Sequence, residues 1–146
     1  MDGWLASFNA QTGNYLASTY NGTDENDQNF FVALDQDDDV YVLGQTLGDY
    51  PSTGGLWSIK DGSQYLHKFK SNLQQSVQSI AFGSGDTVNG SRVINISPTA
   101  LMVDACKSVY LSGWGGLTNF NGTTTGLPTT PNAFDTITDG SDFYYM

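Results

Sequence analysis

The sequence predicts an all-β chain made of β-propeller blades: four-stranded antiparallel sheets that together form a partial propeller. Three observations carry that expectation. No stretch keeps the i, i+3, i+4, i+7 apolar spacing of a helix for three turns; short alternating, β-branched and aromatic runs stand in its place. Clusters of turn-forming residues separate those runs. The second half of the chain also resembles the first at a nearly constant offset.

The runs come in order. Trp4-Leu5-Ala6-Ser7-Phe8 is the first strand, Tyr15 to Tyr20 the second, Phe30 to Leu34 the third and Val40-Tyr41-Val42-Leu43 the fourth. Between them lie Gln11-Thr12-Gly13-Asn14, Tyr20-Asn21-Gly22-Thr23, Asp35 to Asp39 and Gly48-Asp49, which are rich in the residues that favour turns. The pattern then recurs. Trp4 to Asn9 aligns with Tyr65 to Lys70, an offset of 65 − 4 = 61. Ala33-Leu34-Asp35 and Val40 to Gly44 align with Met102-Val103-Asp104 and Val109 to Gly113, an offset of 104 − 35 = 69. Tyr50-Pro51-Ser52-Thr53 aligns with Leu127-Pro128-Thr129-Thr130, offset 77, and Asp61 to Tyr65 with Asp139 to Phe143, offset 78. The growth of the offset places extra residues in Gly85 to Pro98 and in Gly115 to Gly126, both rich in Gly, Asn and Thr. The organisation expected is a first repeat over 2–63, a longer second repeat over 64–141, and the first strand of a third over 142–146. Two blades do not close a ring, which takes roughly 4–8. The sequence therefore reads as an excerpt of a larger protein, and alone it is expected to associate through exposed blade faces and strand edges.

Composition narrows the function. Five Lys and Arg stand against 15 Asp and Glu among 146 residues, a net charge of −10. Five scattered cations do not supply the clustered positive charge of nucleic-acid binding. No run of about 20 apolar residues offers a membrane span, and the acidic balance disfavours an anionic membrane surface. The single cysteine excludes an internal disulfide framework and a multi-thiolate zinc site.

Few residues invite chemistry. Asp35, Asp37 and Asp39 have the alternate-carboxylate spacing that suits calcium, but the loop has Val40 at its sixth position and Thr46 at its twelfth, where a calcium loop wants Gly and Glu. The plainer expectation is a hairpin turn whose aspartates cap backbone N–H groups. Asp24-Glu25-Asn26-Asp27 holds the only glutamate, and nothing identifies the paired carboxylates of a glycosidase there. His67, the only histidine, lies on a strand apart from Cys106, so neither a Ser-His nor a Cys-His arrangement is expected and no catalytic residue is assigned. Trp114, with Asn119 and Phe120 beyond it in a Gly/Asn/Thr-rich segment, is the candidate binding group, either stacking on sugar rings or packing on a neighbouring blade. Asn21, Asn89, Asn95 and Asn121 open Asn-x-Ser/Thr sequences, most of them also good hairpin turns. Asp86-Thr87-Val88 and Asp135-Thr136-Ile137 are similar to a short bacterial O-glycosylation signal.

The motif order resembles a family. Val32-Ala33-Leu34-Asp35, Val40-Tyr41-Val42-Leu43-Gly44, an aromatic-Pro-Ser/Thr-Thr element and Asp-Gly-Ser before the next blade are similar to the bacterial seven-bladed (SBBP) β-propeller repeat. Leu101 to Gly116, Leu127 to Phe134 and Asp139 to Tyr144 resemble large secreted Bacteroidetes proteins that carry a gliding-motility-associated C-terminal domain. The resemblance implies an exported, cell-surface or extracellular protein read by the type IX secretion system. It implies a scaffold, adhesion or protein-interaction role, with other blades of the same parent as partners, and supplies no catalytic residue. The alternative expectation is a carbohydrate-binding or glycan-processing propeller. Calcium is the one cofactor entertained.

Overall fold

The computed structural model describes residues 1–115 and 122–146. It is all-β: among the described residues there are eleven strands, no helix, and only antiparallel pairing. β1 (Gly3–Phe8) and β2 (Tyr15–Asn21) form a two-stranded sheet. β3 (Asp27–Leu34), β4 (Val40–Thr46), β5 (Gln64–Phe69) and β6 (Ser76–Phe82) form a four-stranded meander. β7 (Thr87–Val88) and β8 (Ser91–Arg92) make a small hairpin. β9 (Ser97–Val103), β10 (Val109–Trp114) and β11 (Phe143–Tyr145) make a three-stranded sheet in the order β11-β10-β9. Among the described residues these sheets form no closed ring.

The meander is the centre of the molecule, and every residue of β4 is buried. Side chains alternate across a strand, so the register divides this sheet into two faces. One face carries Val40, Val42, Tyr65, Phe69 and Ala81, and packs with Leu5 and Ala17 of the β1–β2 sheet. The other carries Phe31, Leu43 and Phe82, and packs with Leu101, Leu111 and Tyr144 of the third sheet. A strand covered on both faces needs apolar residues in succession, which is why Val40-Tyr41-Val42-Leu43 reads as a continuous run. Gly44 is required by contact: a Cβ there would lie 2.2 Å from the Tyr65 ring and 2.4 Å from the Gln28 carbonyl oxygen.

The sequence repeat has a structural counterpart, strand by strand. β1–β2 matches β5–β6 at offset 61, including the irregularity that breaks the pairing at Ser7/Phe8 in one and Lys68/Phe69 in the other. β3–β4 matches β9–β10 at offset 69: Asn29 faces Gly44 as Pro98 faces Gly113, and both ladders are irregular just beyond that pair. The period does not fix where a sheet begins, however. The sequence boundary at 63/64 falls between β4 and β5, inside the central sheet, and the boundary at 141/142 falls between β10 and β11, which pair with each other.

One alignment is corrected by a residue. Motif matching sets Phe143 against Tyr65, but Tyr65 pairs with Gly44 while Tyr144 pairs with the equivalent Gly113. A slip of one residue exchanges the two faces of a strand. Tyr144 therefore points into the apolar cluster with Leu127, and Phe143 and Tyr145 face outward. The segment between Gly85 and Pro98, expected to hold extra residues, contains the β7–β8 hairpin. It turns through Asn89 and Gly90 with positive φ at both, the geometry that favours Asn-Gly.

Candidate functional site

The acidic turn is built twice. In the β3–β4 turn the Asp35 carboxylate accepts the N–H groups of Asp37 (2.9 Å) and Asp39 (3.0 Å), and Asp38 takes positive φ. In the β9–β10 turn Asp104 accepts from Cys106 and Ser108, both at 2.8 Å, and Lys107 takes positive φ. Tyr41 donates to Asp35 and Tyr110 to Asp104, each at 3.4 Å. These are side-chain-capped turns of the kind Asp favours.

Only the first turn buries its carboxylates: Asp35 and Asp39 are buried, whereas Asp104 is half-buried and Lys107 exposed. Lys68, from β5, reaches Asp35 at 2.8 Å and Asp39 at 3.0 Å, with its ammonium 4.9 Å from the centre of the Tyr41 ring. Lys70 reaches Asp39 at 3.1 Å. The hydrogen bond from Lys68, aided by the two backbone N–H groups, holds the Asp35 carboxyl down at about 2 despite its burial. Lys68 likewise holds Asp39 low. Burial pulls the Lys68 ammonium down, but its acidic partners more than offset that and raise it overall. Of the three candidate calcium ligands, the fold brings Asp35 and Asp39 together on Lys68. Asp37 is exposed and pairs with Lys107 instead. Among the described residues no group of three or more His, Cys, Asp or Glu is arranged to hold a metal ion.

A second polar centre lies inside the apolar contact between β1–β2 and the meander. His67 is buried between two hydroxyls: its Nδ1 is 2.7 Å from Tyr50 Oη and its Nε2 is 2.7 Å from Ser76 Oγ. Its ring stacks on Phe69 at 3.9 Å and meets Tyr50 edge-on. Tyr50 stacks on Tyr65 at 3.9 Å. Asn29 donates to Asn21 at 2.9 Å, and Asn21 donates to the hydroxyls of Tyr50 (3.2 Å) and Tyr65 (3.3 Å). Tyr65 closes the circuit by donating to Asn29 Oδ1 at 2.6 Å. Tyr50 Oη thus accepts from Asn21 and shares a hydrogen bond with Nδ1, and Ser76 Oγ shares one with Nε2, so a neutral imidazole is satisfied at both ring nitrogens. Burial pushes the His67 pKa down to about 4, and it pushes both tyrosines up.

The remaining candidates are dispersed. Trp114 ends β10, half-buried, opposite Ser97 and Phe143. Asn119 and Phe120 lie outside the described residues. Cys106 is an exposed free thiol at a turn, separate from His67 in β5. Asp27 is buried and accepts from the backbone and hydroxyl of Thr23, at 2.6 and 3.0 Å. Of the Asn-x-Ser/Thr positions, Asn21 and Asn95 are buried in hydrogen-bond networks, Asn89 is exposed at the hairpin tip, and Asn121 is outside the described residues.

Sequence reasoning missed the Lys68 clamp and the Tyr50–His67 centre. Both depend on residues brought together across 17 to 33 positions. The usable signal was a Lys and a His inside an otherwise apolar strand, because such residues, once buried, need partners. No family model matches this chain, and no curated protein and no solved structure matches it.

Proposed function

We propose that the chain is a stretch of a β-propeller serving as a non-catalytic extracellular scaffold, an adhesion or protein-interaction module of a larger secreted protein. The observation that carries this reading is the order of the layers. The central sheet receives β1–β2 on one face and β9–β11 on the other, and equivalent strands keep equivalent faces, so each layer turns the same side toward its successor. Repeated sheets stacked in one sense are the arrangement of propeller blades. The polar groups most suited to chemistry are used structurally: His67 is saturated by Tyr50 and Ser76, and Lys68 by Asp35 and Asp39. Export and surface location accompany the reading through the resemblance to secreted SBBP-type proteins.

The experiment is a glycan array run beside an adhesion assay on immobilised surface and matrix proteins, with the wild-type chain and Trp114→Ala. Protein adhesion that survives Trp114→Ala, with no glycan retained, is the expected result. Glycan binding abolished by Trp114→Ala would overturn it in favour of a carbohydrate-binding propeller.

A further inference from the structure

Asn-Gly occurs three times in the chain, at Asn21-Gly22, Asn89-Gly90 and Asn121-Gly122. The last begins outside the described residues, and the other two sit in opposite settings. The dipeptide has a chemistry of its own. With no side chain on the glycine, its backbone nitrogen can approach the carboxamide carbon of the asparagine and close a succinimide ring. The fold decides where that approach is open.

Asn21 is closed to it. The side chain is buried, its Nδ2 donates to the hydroxyls of Tyr50 and Tyr65, and its Oδ1 accepts from Asn29 at 2.9 Å. Turning the carboxamide onto the Gly22 nitrogen would break these bonds and leave buried polar groups unpaired.

Asn89 meets none of these restraints. It is exposed at the tip of the β7–β8 hairpin. The Gly90 N–H has no acceptor among the described residues, and no atom beyond its chain neighbours lies within 4 Å of where a Gly90 Cβ would stand. Both residues hold positive φ, 52° at Asn89 and 81° at Gly90, a turn that has to open before the ring can close. Little resists that opening. The ladder is two residue pairs, Thr87 with Arg92 and Val88 with Ser91, and Val88 is 62% exposed. The base of the hairpin is held separately: Arg92 donates to the Gly62 carbonyl at 3.0 Å and pairs with Asp61 at 3.1 Å, and Val93 donates to the Asp86 carbonyl at 2.9 Å. The tip therefore opens without disturbing the sheets, at the low end of the range of local unfolding energies.

We infer that Asn89 is a site of spontaneous covalent modification, deamidation through a succinimide, and that the fold protects Asn21, which carries the same dipeptide. The Gly90 nitrogen loses its proton to solvent base and bonds to Asn89 Cγ; the Cγ–Nδ2 bond breaks, and ammonia leaves with a proton taken from water. Water then opens the ring. Cleavage between the Gly90 nitrogen and Cγ gives aspartate. Cleavage between that nitrogen and the Asn89 carbonyl carbon gives isoaspartate, whose backbone runs through the former side chain. Either product adds a negative charge to a chain already at −10. The isoaspartate also lengthens the turn by a methylene, so the Asn-Gly geometry that pairs Val88 with Ser91 is lost. Its new carboxylate makes the aged tip a methyl acceptor for enzymes of the isoaspartyl methyltransferase class.

The test ages the intact chain at neutral pH, beside a second sample aged in urea, and follows each asparagine by tryptic peptide mapping. Asn21 and Asn89 fall in different peptides, and fragmentation of the peptide from Ser71 to Arg92 separates Asn89 from Asn72. In the folded chain Asn89 is expected to convert on the order of tenfold faster than Asn21, and in urea the two rates should converge, because only the folded state tells the two sites apart. An isoaspartyl methyltransferase with a labelled methyl donor should mark the Ser71–Arg92 peptide of the aged wild-type chain and leave it unmarked in Asn89→Gln, where the ring to be closed is larger. Equal rates at the two sites in the folded chain would overturn the inference. An Asn89 that changes only in urea would also overturn it, since the turn would then lock the tip. A gap that persists undiminished in urea would overturn protection by the fold. Label remaining in the Asn89→Gln peptide would overturn the assignment to Asn89.

Discussion

Lys68→Met is expected to destabilise the chain by about 3–5 kcal/mol, the usual consequence of removing one partner from a buried ion pair. The substitution keeps the length and apolar stem of the side chain, so the loss is electrostatic. It leaves the buried Asp35 and Asp39 carboxylates without the ammonium that both contact, and Lys70 touches only Asp39. The magnitude comes from the stranded charges, so neutralising them should recover most of it. Lys68→Met with Asp35→Asn and Asp39→Asn should return close to the wild-type denaturation midpoint, since the side-chain amide introduced at position 35 would still offer an oxygen to the turn N–H groups. A Lys68→Met chain within about 1 kcal/mol of wild type, the worth of an exposed pair, would mean that the clamp is solvated.

Acidification from pH 7 toward 4 should remove up to about 3 kcal/mol of stability through His67 alone. The direction follows from where the proton binds. In the unfolded chain the imidazole titrates near 6.5, while in the fold its pKa is depressed to about 4. Below 6.5 the unfolded state takes up a proton that the fold refuses, so stability falls until the folded pKa is reached. The surroundings give the reason: both ring nitrogens face neutral hydroxyls, Tyr50 Oη and Ser76 Oγ, so a protonated His67 would be a buried cation offset by hydroxyls alone. Asp35, held at about 2, adds its own loss only at lower pH. Urea midpoints measured at intervals from about pH 7.5 to 4.5 should therefore decline for wild type and stay nearly level for His67→Gln. Equal slopes in the two proteins would remove His67 as the cause.

Local signals made much of this fold legible. The run Val40 to Leu43 announced a strand, and Asp35 and Asp104 announced turns that the structure closes with the same hydrogen bonds. The offsets of 61 and 69 matched real strand pairs because side-chain pattern and turn length repeat together. Three things were not legible. Hydrogen bonding groups β4 with β5 across the 63/64 boundary between the two sequence repeats. The slip from Phe143 to Tyr144 is invisible to a motif of adjacent aromatics, either of which suits a strand. The candidate calcium spacing failed to anticipate Lys68, whose reach to Asp35 and Asp39 depends on the β4–β5 register.

The account rests on a central sheet covered on both faces. Amide hydrogen exchange on the intact chain tests this directly, because the slowest amides mark the most deeply paired and covered strands. The account predicts that β4 and β5, around Val42, Leu43, Tyr65 and Leu66, exchange most slowly, that β9 and β10 are intermediate, and that β7–β8 exchanges fastest. Protection of β4 and β5 no greater than that of the β7–β8 hairpin would contradict it.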